Sequence, residues 1–224
     1  SLVNKKHIGD LLNNEYNRQK DIIDDNWNNL LKGKDGWNDA QKELMKKIIN
    51  NREINIKGEI FFNKKAFYDV VKDHLDGRAF KGKNDYSELE LLLGITDYKT
   101  YISFLKDIDK SIKKVEYYLR YGIVEFEKIF YELRTRSKYL YVQPNISYKS
   151  KPLNKISVGQ RGTIYLCLKL ATNIFSQTII FDQPEDDLDN EFIYNDLINI
   201  FKEIKKFRQV IIVTHNANIV VNAD

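Results

Sequence analysis

Thr178-Ile179-Ile180-Phe181-Asp182-Gln183-Pro184-Glu185-Asp186-Asp187-Leu188-Asp189-Asn190 is the stretch that decides the fold. A short β-prone run leads straight into a carboxylate and then a proline turn, the way a buried strand delivers an acid at its C-terminal end. A solvated acidic loop capping the next helix through Asp189 accounts for the later acids, but poorly for Asp182 flush against the apolar run. A second run, Val210-Ile211-Ile212-Val213, ends in Thr214-His215-Asn216. Helical patterns alternate with these runs: Ser157 to Phe175, then Asp189 to Phe207 with Phe192, Ile193, Leu197, Ile200, Phe201 and Ile204 on one side. The alternation predicts an α/β fold, a parallel sheet with flanking helices, and sends Asp182 and His215 to the same sheet edge.

Upstream, Lys138 to Lys149 holds Tyr139, Tyr141, Val142, Ile146 and Tyr148 around Pro144, which reads as β-structure interrupted by a turn or bulge. Ile112, Val115, Leu119, Ile123, Phe126, Ile129, Phe130 and Leu133 recur at three- and four-residue steps and predict one long helix. Another long amphipathic helix is read over 3–33 from Ile8, Leu11, Leu12, Tyr16, Ile22, Ile23, Trp27, Leu30 and Leu31. Between them the pattern predicts a helix from Asp39 to about Asn50, one or two short strands from Glu53 to Phe62, and helices at Lys64 to Leu75, Ser87 to Leu93 and from Asp97. The composition shifts near 135, so two domains are expected: a mostly helical region over 1–135 and the α/β lobe over 136–224.

The 224 residues are 42% hydrophobic and 30% charged, enough for one sizeable core or two small ones. No apolar run approaches the ~20 residues of a membrane span and no basic-then-apolar leader opens the chain, so no membrane partner is expected and the location is expected to be cytoplasmic. A single cysteine, Cys167, excludes an internal disulfide, and the scattered His7, His74 and His215 give no reason to expect a structural zinc site. Thirty-six basic against 32 acidic residues give a net charge of +4, a weak attraction to polyanions. Lys113, Lys114, Arg120, Arg134, Arg136 and Lys138 form a basic row, but Glu116, Glu125, Glu127 and Glu132 interrupt it, so a solvated face is favoured over a nucleic-acid surface. The 14 tyrosines are read as core filling ahead of base stacking. The chain opens on Ser1 and stops at Asp224 just after an apolar segment, and it is expected to be a piece of a longer protein.

Ile156-Ser157-Val158-Gly159-Gln160-Arg161-Gly162 stands directly before the long helical pattern, with Ser157 and Gln160 spaced as a capping box. The cap does not explain Gly159, which weakens a first helical turn unless something must approach the backbone there. A helix N-terminus with free N–H groups is a phosphate site, although an ordinary helix start also accounts for the segment when it is taken alone.

In this serial order, I-S-V-G-Q-R, T-I-I-F-D-Q-P-E-D-D-L-D and V-I-I-V-T-H resemble the C-terminal lobe of an ABC-class ATPase head of the soluble SMC and RecF-like branch, over about residues 140–224. The wording D-Q-P-E-D-x-L-D-N and T-H-N-A-N is most similar to the TrlF-type AAA-like ATPases, a group met near nucleic-acid processing and defence functions. The resemblance implies ATP and Mg²⁺ as cofactors, and a homodimer that sandwiches two ATP molecules. It implies that Ser157, Val158, Gly159 and Gln160 form the signature motif, which contacts the γ-phosphate of ATP on the opposite subunit, and that Arg161 follows it as in many members. Asp182 then matches the Walker B aspartate that organises Mg²⁺ through water, Leu188 and Asp189 the D-loop that crosses the dimer interface, and His215 the switch histidine.

Two departures stand out. Where most of these ATPases carry a water-polarising glutamate this chain has Gln183, whose amide orients a water but cannot take its proton. Glu185 is expected to substitute if the Pro184 turn aims it inward. No G-x-x-x-x-G-K-[ST] occurs; Lys32-Gly33-Lys34-Asp35-Gly36 and Arg78 to Lys83 lack its ending. The resemblance places that phosphate loop in an N-terminal lobe of the same parent chain, with 1–135 as the returning part of a helical insertion, so this chain alone is not expected to hydrolyse ATP. DNA or RNA is the partner such a parent would act on. An ATP-gated clamp with little hydrolysis is the competing reading, and Gln183 points to it. A transporter nucleotide-binding subunit is a weaker one, because the polar helical region is too long.

Overall fold

The computed structural model describes residues 7–50, 53–80, 86–172, 177–188 and 190–222. In chain order these form α1 (Ile8–Lys32), α2 (Asp39–Asn50), β1 (Ile54–Phe62), α3 (Lys64–Asp73), α4 (Ser87–Leu93), α5 (Tyr98–Lys106), α6 (Ile108–Ile112), α7 (Gly122–Tyr131), α8 (Leu133–Arg136) and β2 (Leu140–Tyr148). Then follow β3 (Lys151–Pro152), α9 (Val158–Thr172), β4 (Ile179–Asp182), α10 (Pro184–Asp187), α11 (Asn190–Phe192), α12 (Ile198–Ile204), β5 (Val210–Val213) and α13 (Ala217–Asn222). The fold is α/β, with one sheet in the order β1-β2-β3 and a separate parallel pair, β4-β5. Among the described residues no helix is long and apolar enough to cross a membrane.

The chain divides into two compact units, Ser1–Ile23 with Gly58–Pro144 and Asp24–Lys57 with Asn145–Asp224. A single cut near 135 does not describe this division. Residues 24–57 pack with the α/β elements because Trp27, Leu44, Met45, Ile48, Ile49 and Ile54 share one apolar core with Ile164, Leu170, Ile193 and Leu197.

The first unit is built on aromatic rings. Phe67, Tyr68, Tyr101, Phe126, Phe130 and Tyr139 are fully buried, and Phe67 meets Tyr139 edge to face at 5.1 Å between centroids. Their hydroxyls find partners, as burial requires: Tyr139 donates to the Ile129 carbonyl at 2.7 Å, Tyr68 to that of Ile95 at 2.7 Å, and the hydroxyls of Tyr101 and Tyr139 lie 3.1 Å apart. Arg136, expected on a basic surface row, is buried instead. Its Nε donates to the Tyr16 hydroxyl at 3.0 Å and its Nη1 to the Phe130 carbonyl at 3.0 Å.

The long helix expected from Ile112 to Leu133 is broken into α6, a 3₁₀ turn at Glu116–Tyr118, α7 and α8. Its apolar periodicity is real, since Ile112, Val115, Phe126, Ile129 and Phe130 are all buried. Backbone bonding elsewhere stops the helix: Leu119 bridges Leu75, Asp76 N–H donates to the Tyr118 carbonyl at 2.8 Å and Arg120 N–H to that of His74 at 2.9 Å. Gly122 takes φ +79° as α7 begins, a value open to glycine at little cost. β2, in contrast, runs unbroken through Pro144. β3 pairs only with Ser147 and Tyr148, so one side of β2 carries no described ladder at Pro144, and a residue without an N–H is tolerated there.

In the second unit β4 and β5 pair in register from Ile179↔Val210 to Asp182↔Val213. Ile179, Phe181, Val210 and Ile212 turn inward and pack against the apolar core, with Phe181 5.0 Å from the Phe201 ring. On the opposite face Ile180 is 69% exposed and Val213 52%. Parallel strands are normally covered on both faces, and here one face is left open by the described residues. The helix expected over 189–207 ends at Ile204 and carries a π-helical turn at Ile193–Leu197, while Phe192, Ile193, Leu197, Ile200, Phe201 and Ile204 are buried as their spacing predicts.

Gly58 in β1 is buried against α1, and a Cβ there would lie 2.4 Å from the Lys20 carbonyl oxygen. Gly58→Ala is therefore expected to lower stability by about 1–3 kcal/mol through backbone displacement. Gly77, where a Cβ would meet nothing within 4 Å, should accept alanine with a change of no more than about 1 kcal/mol. Urea denaturation midpoints of the two variants check this contrast.

Candidate functional site

β4 carries its strand geometry through Asp182 and no further. Gln183 N–H donates to the Val213 carbonyl at 2.7 Å, and Gln183 then adopts φ +47°, ψ +59°. A non-glycine residue in the left-handed region costs about 1–2 kcal/mol. The turn it makes reverses the chain into α10, which opens on Pro184, where a missing N–H is no loss.

That turn carries Glu185 inward, as the sequence reading required. The Glu185 side chain is only 7% exposed. Its Oε1 accepts from the Thr214 hydroxyl at 2.5 Å and from the His215 backbone N–H at 3.0 Å. The same oxygen lies 3.3 Å from His215 Nδ1, an ion pair whenever the imidazole is protonated. Burial works to raise the Glu185 pKa, but the bonds from Thr214, from its own backbone N–H and from His215 outweigh it and hold the carboxyl below the ordinary value. Oε2 is buried and has no hydrogen-bond partner among the described residues. One oxygen is thus fixed by the end of β5 and the other keeps its acceptor capacity.

The remaining candidates are arranged around this bond. Asp182 is exposed at the last position of β4, opposite Val213, and no hydrogen bond or ion pair from the described residues holds its carboxylate. His215 is 64% exposed. At the head of α9 the capping box forms in both directions: Gln160 N–H donates to Ser157 Oγ at 3.1 Å and Ser157 N–H to Gln160 Oε1 at 3.2 Å. Val158 is 74% exposed, Thr163 Oγ1 donates to the Gly159 carbonyl at 3.1 Å, and Arg161 Nη2 to the Ile156 carbonyl at 3.3 Å. α10 packs against α9.

The structure therefore joins Glu185, Thr214 and His215 directly, sets Asp182 and Gln183 beside them along the chain, and keeps Ser157 to Arg161 in the same unit without a hydrogen bond to that cluster. Asp189 lies outside the described residues. Thr214 was missed as a site residue, though its signal was present: a hydroxyl directly after four apolar strand residues, at the edge where ligands gather.

Among the described residues no group of three or more His, Cys, Asp and Glu side chains is placed to hold a metal ion. A Mg²⁺ ion held through its water shell needs fewer protein ligands, because phosphate oxygens supply the rest. The unengaged Asp182 carboxylate fits that demand, and the absence of a phosphate loop from the sequence limits the fit to part of a nucleotide site. Comparison with family models, with curated proteins and with solved structures finds no match to this chain.

Thr214→Val is expected to destabilise the protein by about 1.5–3 kcal/mol at neutral pH, the usual worth of a hydrogen bond to a charged group. The Glu185 pKa is depressed in the fold, so the stability it adds is present above the unfolded-state value and lost as pH falls through the folded one. The gap between wild type and Thr214→Val should accordingly narrow below the ordinary carboxylate range. Urea titrations of both proteins at pH 7 and at pH 3 measure it, and a gap that widens in acid contradicts the assignment.

Proposed function

We propose that this chain is an ATP-binding half-site of an SMC/RecF-like ABC-class ATPase that dimerises around ATP and acts in nucleic-acid processing or defence. The observation that carries the reading is the bond between Glu185 and the Thr214-His215 end of β5, beside Asp182 at the end of β4. A strained turn at Gln183 is spent on bringing a buried carboxylate to the edge where a parallel sheet presents its ligands.

In this reading Mg²⁺-bound ATP, when present, supplies the phosphoryl group that passes to water. Asp182 holds the hydration shell of the metal. Ser157, Val158, Gly159 and Gln160, with Arg161 after them, offer a helix N-terminus to the γ-phosphate of ATP held by the opposite subunit, and Asp189 lies at the dimer crossing. His215, mostly exposed yet tied to Glu185, passes the presence of phosphate to that carboxylate. Glu185 Oε2 accepts a hydrogen bond from the attacking water in the place left by Gln183. The phosphate loop belongs to an N-terminal lobe of the same parent chain. The uncovered apolar face of the β4-β5 pair supports such a complement.

One observation favours a slower protein. A carboxylate held below its ordinary pKa is a good acceptor and a weak base, whereas proton removal is best served by a pKa near the working pH. An ATP-gated clamp with little turnover has this property, and the kinetics separate the two.

ATP turnover and ATP-dependent dimerisation of the full-length protein are expected to fail in Asp182→Asn. Glu185→Gln should lower single-turnover hydrolysis by about a hundredfold or more while leaving dimerisation intact. Wild-type hydrolysis no faster than spontaneous ATP loss, with ATP-dependent dimers and rescue by Gln183→Glu, selects the clamp. Unchanged turnover in Asp182→Asn would sink the site assignment.

A further inference from the structure

The tyrosines of the first unit span the range from core to surface. Tyr68, Tyr101 and Tyr139 are fully buried, whereas Tyr117 is 83% exposed and Tyr121 63%. A single exposed aromatic calls for no explanation. Two of them four residues apart, on backbone that is tied down and among unpaired cations, do call for one.

The helix break described above creates this display. Val115 is buried beneath the segment, Leu119 bridges Leu75, and the Tyr118 carbonyl and Arg120 N–H are bonded to Asp76 and His74. Tyr118 packs edge to face on Phe80 at 5.5 Å and on Tyr117 at 5.4 Å. Tyr117 and Tyr121 therefore stand on anchored backbone, at most about 14 Å apart, a span of a few nucleotides.

The charge around them is positive. Lys110, Lys113, Lys114 and Arg120 are exposed, against Asp107, Asp109 and Glu116. Lys113 and Lys114 have no carboxylate within ion-pair distance among the described residues. The Arg120 guanidinium lies 5.7 Å from the Tyr121 ring centre, a cation held beside a stacking face. The patch is bounded. Lys128 is neutralised by Glu125 at 2.6 Å, and Arg136 is consumed in the core.

We propose that residues 113–121 bind single-stranded nucleic acid, with Tyr117 and Tyr121 stacking on bases and Lys113, Lys114 and Arg120 neutralising phosphates. Exposed rings among cations fit an unpaired strand, because every base has a face to stack and only an unpaired strand offers it freely. A duplex hides those faces. The inference rests on the nucleic-acid part of the reading above and is independent of ATP.

Fluorescence anisotropy of the full chain with labelled oligo(dT), oligo(U) and a duplex, without nucleotide and across 50 to 200 mM salt, tests it. Both single strands are expected to bind more tightly than the duplex. Replacing Tyr117 and Tyr121 together by alanine should weaken binding by roughly tenfold or more, while phenylalanine at both positions preserves it. Lys113→Ala with Lys114→Ala should flatten the salt dependence. Because all four side chains are on the surface, unchanged circular dichroism separates lost binding from lost folding. Single-strand binding untouched by the double alanine change overturns the patch and leaves the nucleic-acid partner standing. If neither single strand binds the wild type, both fall, and the ATP reading is still judged by its own turnover. Binding of one strand type alone keeps the patch and assigns it to DNA or to RNA.

Discussion

The second unit turns on one carboxylate. Glu185 is carried inward by a single left-handed residue and is then bonded to the hydroxyl and backbone that follow β5. The strand pairing ends at Asp182↔Val213, and beyond it only Gln183 N–H continues the ladder. Without Glu185 the segments that follow the two strands would be joined, among the described residues, by that one backbone bond, and His215 would lose its tie to α10 while Asp182 stayed paired with Val213. A buried anion with two hydrogen-bond donors on one oxygen is costly to disturb, because removing a donor leaves its desolvation uncompensated. The placement of Thr214 and His215 against α10 thus depends on this contact, while the strand pairing itself holds Asp182.

The sheet itself is unusual in its exposure. Two parallel strands with Ile180 and Val213 facing solvent bury only one face, and the hydrophobic gain of the other is not realised within the described residues. The first unit shows the opposite economy. Its rings are packed edge to face around Phe67 and Tyr139, the hydroxyls of Tyr68, Tyr101 and Tyr139 are bonded, and even the Arg136 guanidinium is enclosed by the Tyr16 hydroxyl and the Phe130 carbonyl.

Much of this was legible in the sequence, and the failures have a common cause. α2, α4 and β5 lie where their local patterns place them, since caps, turn residues and short-range periodicity act over one element. The long helix over 112–133 was misread because consecutive short helices around one core bury the same residues as a single helix would. What separates the cases is the pairing of residues 118–120 with residues 74–76, a contact some forty positions away that no local pattern records. The same applies to the division of the chain: residues 24–57 carry helix and strand signals of their own, and nothing in them names the core they join. Strand ends are readable, and Asp182, Gln183 and His215 lie at those where the sequence pattern puts them. Thr214 was not singled out, because its importance arises only when Glu185 reaches it.

Gln183 and Glu185 also bear on each other physically. In the proposed ATPase, an amide directly after the Walker B aspartate removes the usual base. The acid two residues later reaches the sheet edge only through the strained backbone of that same Gln183. Once there, it is held as an anion by bonds that lower its proton affinity. Each step favours holding and orienting a water over taking its proton. Under the proposed function, a site built this way would stabilise a closed nucleotide-bound state more readily than clear it, and the lifetime of that state would be the quantity it sets.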